Sequence, residues 1–66
     1  MSVLKVIEVM SNSNTSWEDA TRKAVEKASK SVKHIRSVYV QEQSAIVKDN
    51  MVTEFRVNLK LTFEIE

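Results

Sequence analysis

The sequence predicts an α+β chain ordered strand, long helix, strand, strand. Three observations carry this. Residues 51–65 alternate apolar and polar side chains over almost their whole length. From Trp17 to Ile35, apolar or small residues recur at steps of three and four. Residues 3–10 are largely apolar on both faces, as a strand covered on two sides should be.

The first strand is expected over 3–10, with Val3, Ile7 and Val9 on one face and Leu4, Val6 and Met10 on the other. Ser11 to Ser16 is a polar connector. Thr15 and Glu18 fit a capping box, and Ser16 with Asp19 fits the same box one residue later. In either register a helix starts here, with an acidic first turn that suits its dipole. Trp17, Ala20, Thr21, Ala24, Ala28, Ser31, Val32 and Ile35 form a narrow stripe along about 20 residues. Lys30, Lys33 and His34 fall in the expected last turns. A second strand is expected over 37–47, with Val38, Val40 and Ile46 pointing one way and Tyr39, Gln41, Gln43 and Val47 the other. Gly and Pro are absent. The turn at Lys48-Asp49-Asn50 therefore relies on the tolerance of Asp and Asn for left-handed backbone. In the third strand, Met51, Thr53, Phe55, Val57, Leu59, Leu61, Phe63 and Ile65 oppose a mostly polar face that ends in Glu64 and Glu66.

The 66 residues are expected to form a single domain, 1–66. A domain this small buries only about 60% of its unfolded surface. With no Cys to crosslink it, partner subunits are the remaining source of stability. Lengths point the same way. The last strand should run close to about 50 Å and the helix roughly 30 Å. Part of the apolar strand face then lacks cover, so self-association is expected.

Ten basic and nine acidic residues leave a net charge of +1, which argues against nucleic acid as a partner. Arg22, Lys23, Lys27, Lys30 and Lys33 are interleaved with Glu18, Asp19 and Glu26, the pattern of a solvated helix face. Lys5 and Glu8 interrupt any signal-peptide core. No stretch approaches the roughly 20 apolar residues of a membrane span. A cytoplasmic protein without a membrane partner is the expectation.

No catalytic constellation is visible, so the chain is not expected to be an enzyme. His34, the one His, reads as a helix-end residue. Without Gly there is no nucleophile elbow. Glu8, Glu42, Glu54, Glu64 and Glu66 lie on strands, too widely spaced for a local calcium loop, although copies could bring them together around a symmetry axis. Trp17 reads as a core or interface anchor, with a stacking platform as the other use. Tyr39 and Arg56 sit on the less apolar sides of their strands. They suit either a planar or anionic ligand or an exposed cation–π pair.

The whole pattern resembles the dodecin family. The resemblance rests on Lys5-Val6-Ile7-Glu8-Val9, on Thr15-Ser16-Trp17-Glu18-Asp19-Ala20 after a polar turn, and on the helix running into Val32-Lys33-His34-Ile35-Arg36. It rests further on Val40-Gln41-Glu42-Gln43 and on the segment from Glu54 to Phe63. It implies a β-α-β-β subunit whose three-stranded antiparallel sheet wraps one long helix, and a hollow homo-dodecamer. It also implies non-enzymatic binding and storage of flavin, riboflavin or FMN, at subunit interfaces. In flavin-binding members a Trp at the start of the second strand stacks on the flavin ring, and a Gln early in the third bonds its polar edge. The matching cofactor-binding positions here are Ser37 and Arg56. A lost stack costs about 1–3 kcal/mol if flavin behaves like a nucleic-acid base, while Arg56 has the charge to pair with a flavin phosphate. The usual Gly of the first turn is replaced by the Ser11-Asn12 region. In lacking the Trp, the sequence resembles a branch that includes a calcium dodecin. That makes calcium, or a chiefly structural shell, the alternative to flavin.

Overall fold

The computed structural model describes residues 3–65. The expectations placed on Met1, Ser2 and Glu66 lie outside the described residues. The chain folds as β1 (Val3–Ser13), α1 (Trp17–Ala28), β2 (Ile35–Lys48) and β3 (Met51–Ile65). The sheet is antiparallel with order β1-β3-β2, so the last strand is the central one. The β-α-β-β order and the expected bounds of β3 hold.

β3 occupies the middle because it carries the strongest one-sided pattern. Val57, Leu59 and Leu61 are essentially fully buried. Ala20, also fully buried, meets Val57 and Leu59, with Val9, Trp17 and Ala24 packed around them. The small alanines let the helix lie close to the strand, and the alternation of β3 then has a covered side and an open side.

β1 runs three residues further than the apolar pattern suggests. Ser11, Asn12 and Ser13 pair with Val57, Arg56 and Phe55, because ladder hydrogen bonds belong to the backbone and not to the side chain. Ser13 is also buried. Its hydroxyl donates to Asp19 Oδ2 at 2.6 Å and accepts the Thr15 and Ser16 amides at 2.9 and 3.4 Å. One serine thus turns the chain into the helix. The later capping register is the one used: Ser16 is the N-cap, and its Oγ accepts the Asp19 amide at 2.9 Å.

The helix is shorter than its stripe. It ends at Ala28 after 12 residues, not near Ile35. Ser29 Oγ donates to the Glu26 carbonyl at 2.7 Å, and Lys30 and Ser31 bond back three residues instead of four. Val32 stays half-buried, and Ile35 opens β2 instead of closing the stripe. His34 therefore lies beyond the helix. It adopts φ 63°, and its carbonyl accepts the Glu64 amide at 3.1 Å, which fixes the entry of β2 onto β3.

β2 also departs from strict alternation. Register shifts lie between Ile35 and Ser37, Val40 and Glu42, and Ile46 and Val47. The extra residue at Gln41 reverses the side-chain parity from Glu42 to Ile46, and the shift before Val47 restores it. Gln43, opposite Val57, joins the helix side, while Ile46, opposite Glu54, moves to the other. Asp49 and Asn50, at φ 52° and 64°, make the expected two-residue turn.

The Asp19 carboxyl is held below its ordinary value of 3.8, first by the Ser13 hydroxyl and then by Lys23, against a smaller opposing effect of burial. A carboxyl lowered on folding stabilises fully above its unfolded value, and that contribution fades as the pH falls through the folded one. Urea midpoints of the parent and Asp19→Asn, followed from about pH 6 to pH 2.5 across the carboxylate range, should therefore converge on acidification. A gap that stays constant with pH would remove Asp19 as the acid-sensitive group.

Candidate functional site

α1 covers one face of the sheet and leaves the other open. Directly opposed residues share a face, so the register reads out the open side row by row. Asn12, Arg56 and Ser44 form one row, and Met10, Asn58 and Glu42 the next. Glu8, Lys60 and Tyr39 come after them, then Val6, Thr62 and Ser37. Glu54 and Glu64 occupy the same face nearer the two ends of β3.

Both candidate cofactor-binding positions are on this face. The Ser37 hydroxyl is hydrogen-bonded to the Thr62 hydroxyl. Arg56 Nε donates to Asn12 Oδ1 at 2.9 Å. Their rows are six residues apart along β3, roughly 20 Å at strand rise. One subunit therefore does not bring Ser37 and Arg56 into one pocket. Tyr39 is exposed and faces Lys60 across the ladder, two rows from Arg56, so the Tyr39–Arg56 pair does not form within a subunit. Arg36 Nε donates to Glu64 Oε1 at 2.9 Å, and Asn58 Nδ2 approaches Glu42 Oε1 at 3.5 Å. Asn12 and Thr62, which hold the two candidate residues, were not singled out from the sequence. Their partners lie 44 and 25 positions away, and only the pairing of strands makes them neighbours.

Trp17 serves as an anchor. Its indole N–H donates to the Ser44 carbonyl at 2.8 Å, and its ring meets Phe55 edge-on at 5.0 Å. The helix charges pair with each other: Arg22 with Glu18, and Lys23 with Asp19. Open troughs of about 430 Å³ flank α1 on each side, one against β1 with Lys23 and Lys27 on its rim, the other against β2 around Val25 and Val38. Among the described residues no three His, Asp or Glu side chains gather as a metal site, and no helix is long and apolar enough to cross a membrane.

The molecule measures 50 × 20 × 13 Å, which matches the strand length expected from the sequence. A helix of 12 residues spans only about 18 Å, so even less of the ribbon is covered than the sequence suggested. Val3, Leu4, Val6, Met10, Met51 and Val52 are all more than half exposed. An apolar surface this extensive marks a protein interface.

Comparisons with known proteins agree with this architecture. The family model described as Dodecin matches residues 3–66. Calcium dodecin of Mycobacterium tuberculosis is 40% identical over 65 residues, spanning 98% of this chain and 92% of that protein. The structure of dodecin from Streptomyces coelicolor superposes with a TM-score of 0.93 at 29% identity, covering 98% of this chain and 93% of that one. The crystal structure of the Mycobacterium tuberculosis calcium dodecin, described as having a novel calcium-binding site, gives 0.85 at 38% identity, with 98% and 93% covered.

Proposed function

The chain belongs to the dodecin family, and from that premise we propose that it is a non-enzymatic subunit of a homo-dodecameric shell whose ligand is calcium, held between copies. The observation that carries the ligand is the placement of the carboxylates. Glu8, Glu42, Glu54 and Glu64 come from three strands yet share the open face. Calcium takes about six to eight oxygen ligands. With no three-carboxylate cluster among the described residues of one copy, carboxylates of a second copy would complete the ligand set. Two facts support this reading. Ser37 offers a hydroxyl tied to Thr62 where a stacking aromatic would be needed for flavin, and a relative at 40% identity is a calcium dodecin. Flavin is the second reading, favoured by Arg56, a cation on the open face whose Nε is oriented by Asn12.

Calorimetric titration of the assembled protein with calcium chloride is expected to give saturable heat. Riboflavin fluorescence is expected to stay unquenched at micromolar protein. Quenching without calcium uptake would transfer the site to flavin, and a flat result in both would leave a structural shell.

A further inference from the structure

The alanines that bring α1 close to the sheet also leave room beside it. Ala24 and Ala28 carry little bulk, and with Val9 they floor the open trough of about 430 Å³ on the β1 side. That volume falls within the roughly 300–1,000 Å³ of small-molecule sites. Ser11 stands on the strand wall, and Lys23 and Lys27 stand on the helix wall. β1 is also an edge of the sheet, so alternate backbone N–H groups point away from β3 with no strand of this sheet to receive them. The trough thus combines an apolar floor with donors on both walls.

The two cations are not equivalent. Lys23 Nζ lies 3.1 Å from Asp19 Oδ2. Lys27, one turn further along α1, pairs with no carboxylate among the described residues. No acidic side chain lines the trough. The helix end offers little competing negative charge, because its last carbonyls are already engaged. Those of Val25, Lys27 and Ala28 accept the amides of Ser29, Lys30 and Ser31, and that of Glu26 accepts Ser29 Oγ. The trough of equal volume on the β2 side differs in charge: Glu26 lines it, and its Arg22 is bound to Glu18. An anion with an apolar body therefore distinguishes the two. We propose that the β1-side trough binds a small free carboxylate with an unbranched apolar tail, the tail over Val9, Ala24 and Ala28 and the head on Lys27. A pair of lysines repels calcium, and Ser37 and Arg56 lie on the opposite face of the sheet, so this site is separate from both ligand readings above.

Calorimetric titration of the purified protein with sodium decanoate, kept below its micelle concentration, tests this, with circular dichroism and Trp17 emission reporting the fold. Saturable binding is expected. It should tighten about twofold or more for each methylene added from hexanoate to decanoate, against about fourfold for full burial. Lys27→Gln should weaken decanoate binding about threefold and Lys27→Glu about tenfold, both with the Trp17 signal unchanged. Ala28→Leu, which fills the floor, should weaken it as well, whereas Glu26→Gln on the other trough should leave it unaltered. Decyltrimethylammonium chloride, with the same tail and the opposite charge, should not bind in the same concentration range. Phosphatidylglycerol vesicles should not carry the protein down on sedimentation, which separates a free acid from a lipid headgroup. Decanoate binding that Lys27→Glu leaves intact, equal uptake of the ammonium compound, pelleting with the vesicles, or no decanoate uptake by the parent overturns the site.

Discussion

Leu59→Ala is expected to cost about 3 kcal/mol or more, within the range of roughly 2–5 kcal/mol for buried leucines. Leu59 is 1% exposed at the centre of the middle strand, packed with Val57 and Ala20. Truncation leaves a cavity that cannot relax easily, because β3 is held on both sides by β1 and β2. Domains have about 0.05–0.15 kcal/mol of stability per residue. For 66 residues that is about 3–10 kcal/mol, so the loss is a large fraction of the whole. Urea unfolding at one fixed protein concentration, followed by Trp17 emission, checks it; concentration must be held because assembly adds to apparent stability. Leu59→Met, nearly equal in volume, should stay under about 1.5 kcal/mol. A cost below about 1 kcal/mol for the alanine variant would mean that the core does not centre on β3.

Trp17→Ala is expected to cost about 3 kcal/mol, the lower end for a truncated aromatic because the side chain is only half-buried. Its ring joins three elements. It starts the helix, meets Phe55 of β3 edge-on, and donates its N–H to the Ser44 carbonyl of β2. Trp17→Phe separates these contributions. It keeps an aromatic against Phe55 and loses the hydrogen bond, about 1 kcal/mol, together with the packing of the indole's second ring. Circular dichroism is the readout here, since the fluorophore is removed. Equal losses for the two variants would place the anchor in the hydrogen bond, and a negligible loss for both would remove Trp17 as an anchor.

The sequence was most informative where one face of an element is apolar and the other is not. The alternation along Met51–Ile65 delivered β3 at its observed bounds, because burial on one side of a pleated strand imposes period two. The Asp-Asn pair marked its turn in the absence of glycine. Burial patterns say less about ends. Ser11, Asn12 and Ser13 extend β1 by backbone pairing alone, and local bonds from Ser29 stop the helix seven residues before its apolar stripe does. The side-chain parity of β2 was not legible between Gln41 and Ile46, since a bulge leaves no mark in hydropathy.

By itself, the sequence determined the order of elements, the identity of the central apolar strand, the position of Ser37 and Arg56 on strands, and the shortage of cover that calls for partners. These are consequences of local spacing and of chain length. The tertiary structure alone decided that β3 lies between β1 and β2, that the strand carboxylates share one face, that Ser37 and Arg56 stand roughly 20 Å apart on it, and that residues 46–54 project without a third strand. Each of those depends on which strands pair and in what register, and pairing between residues dozens of positions apart is fixed by packing the whole chain at once.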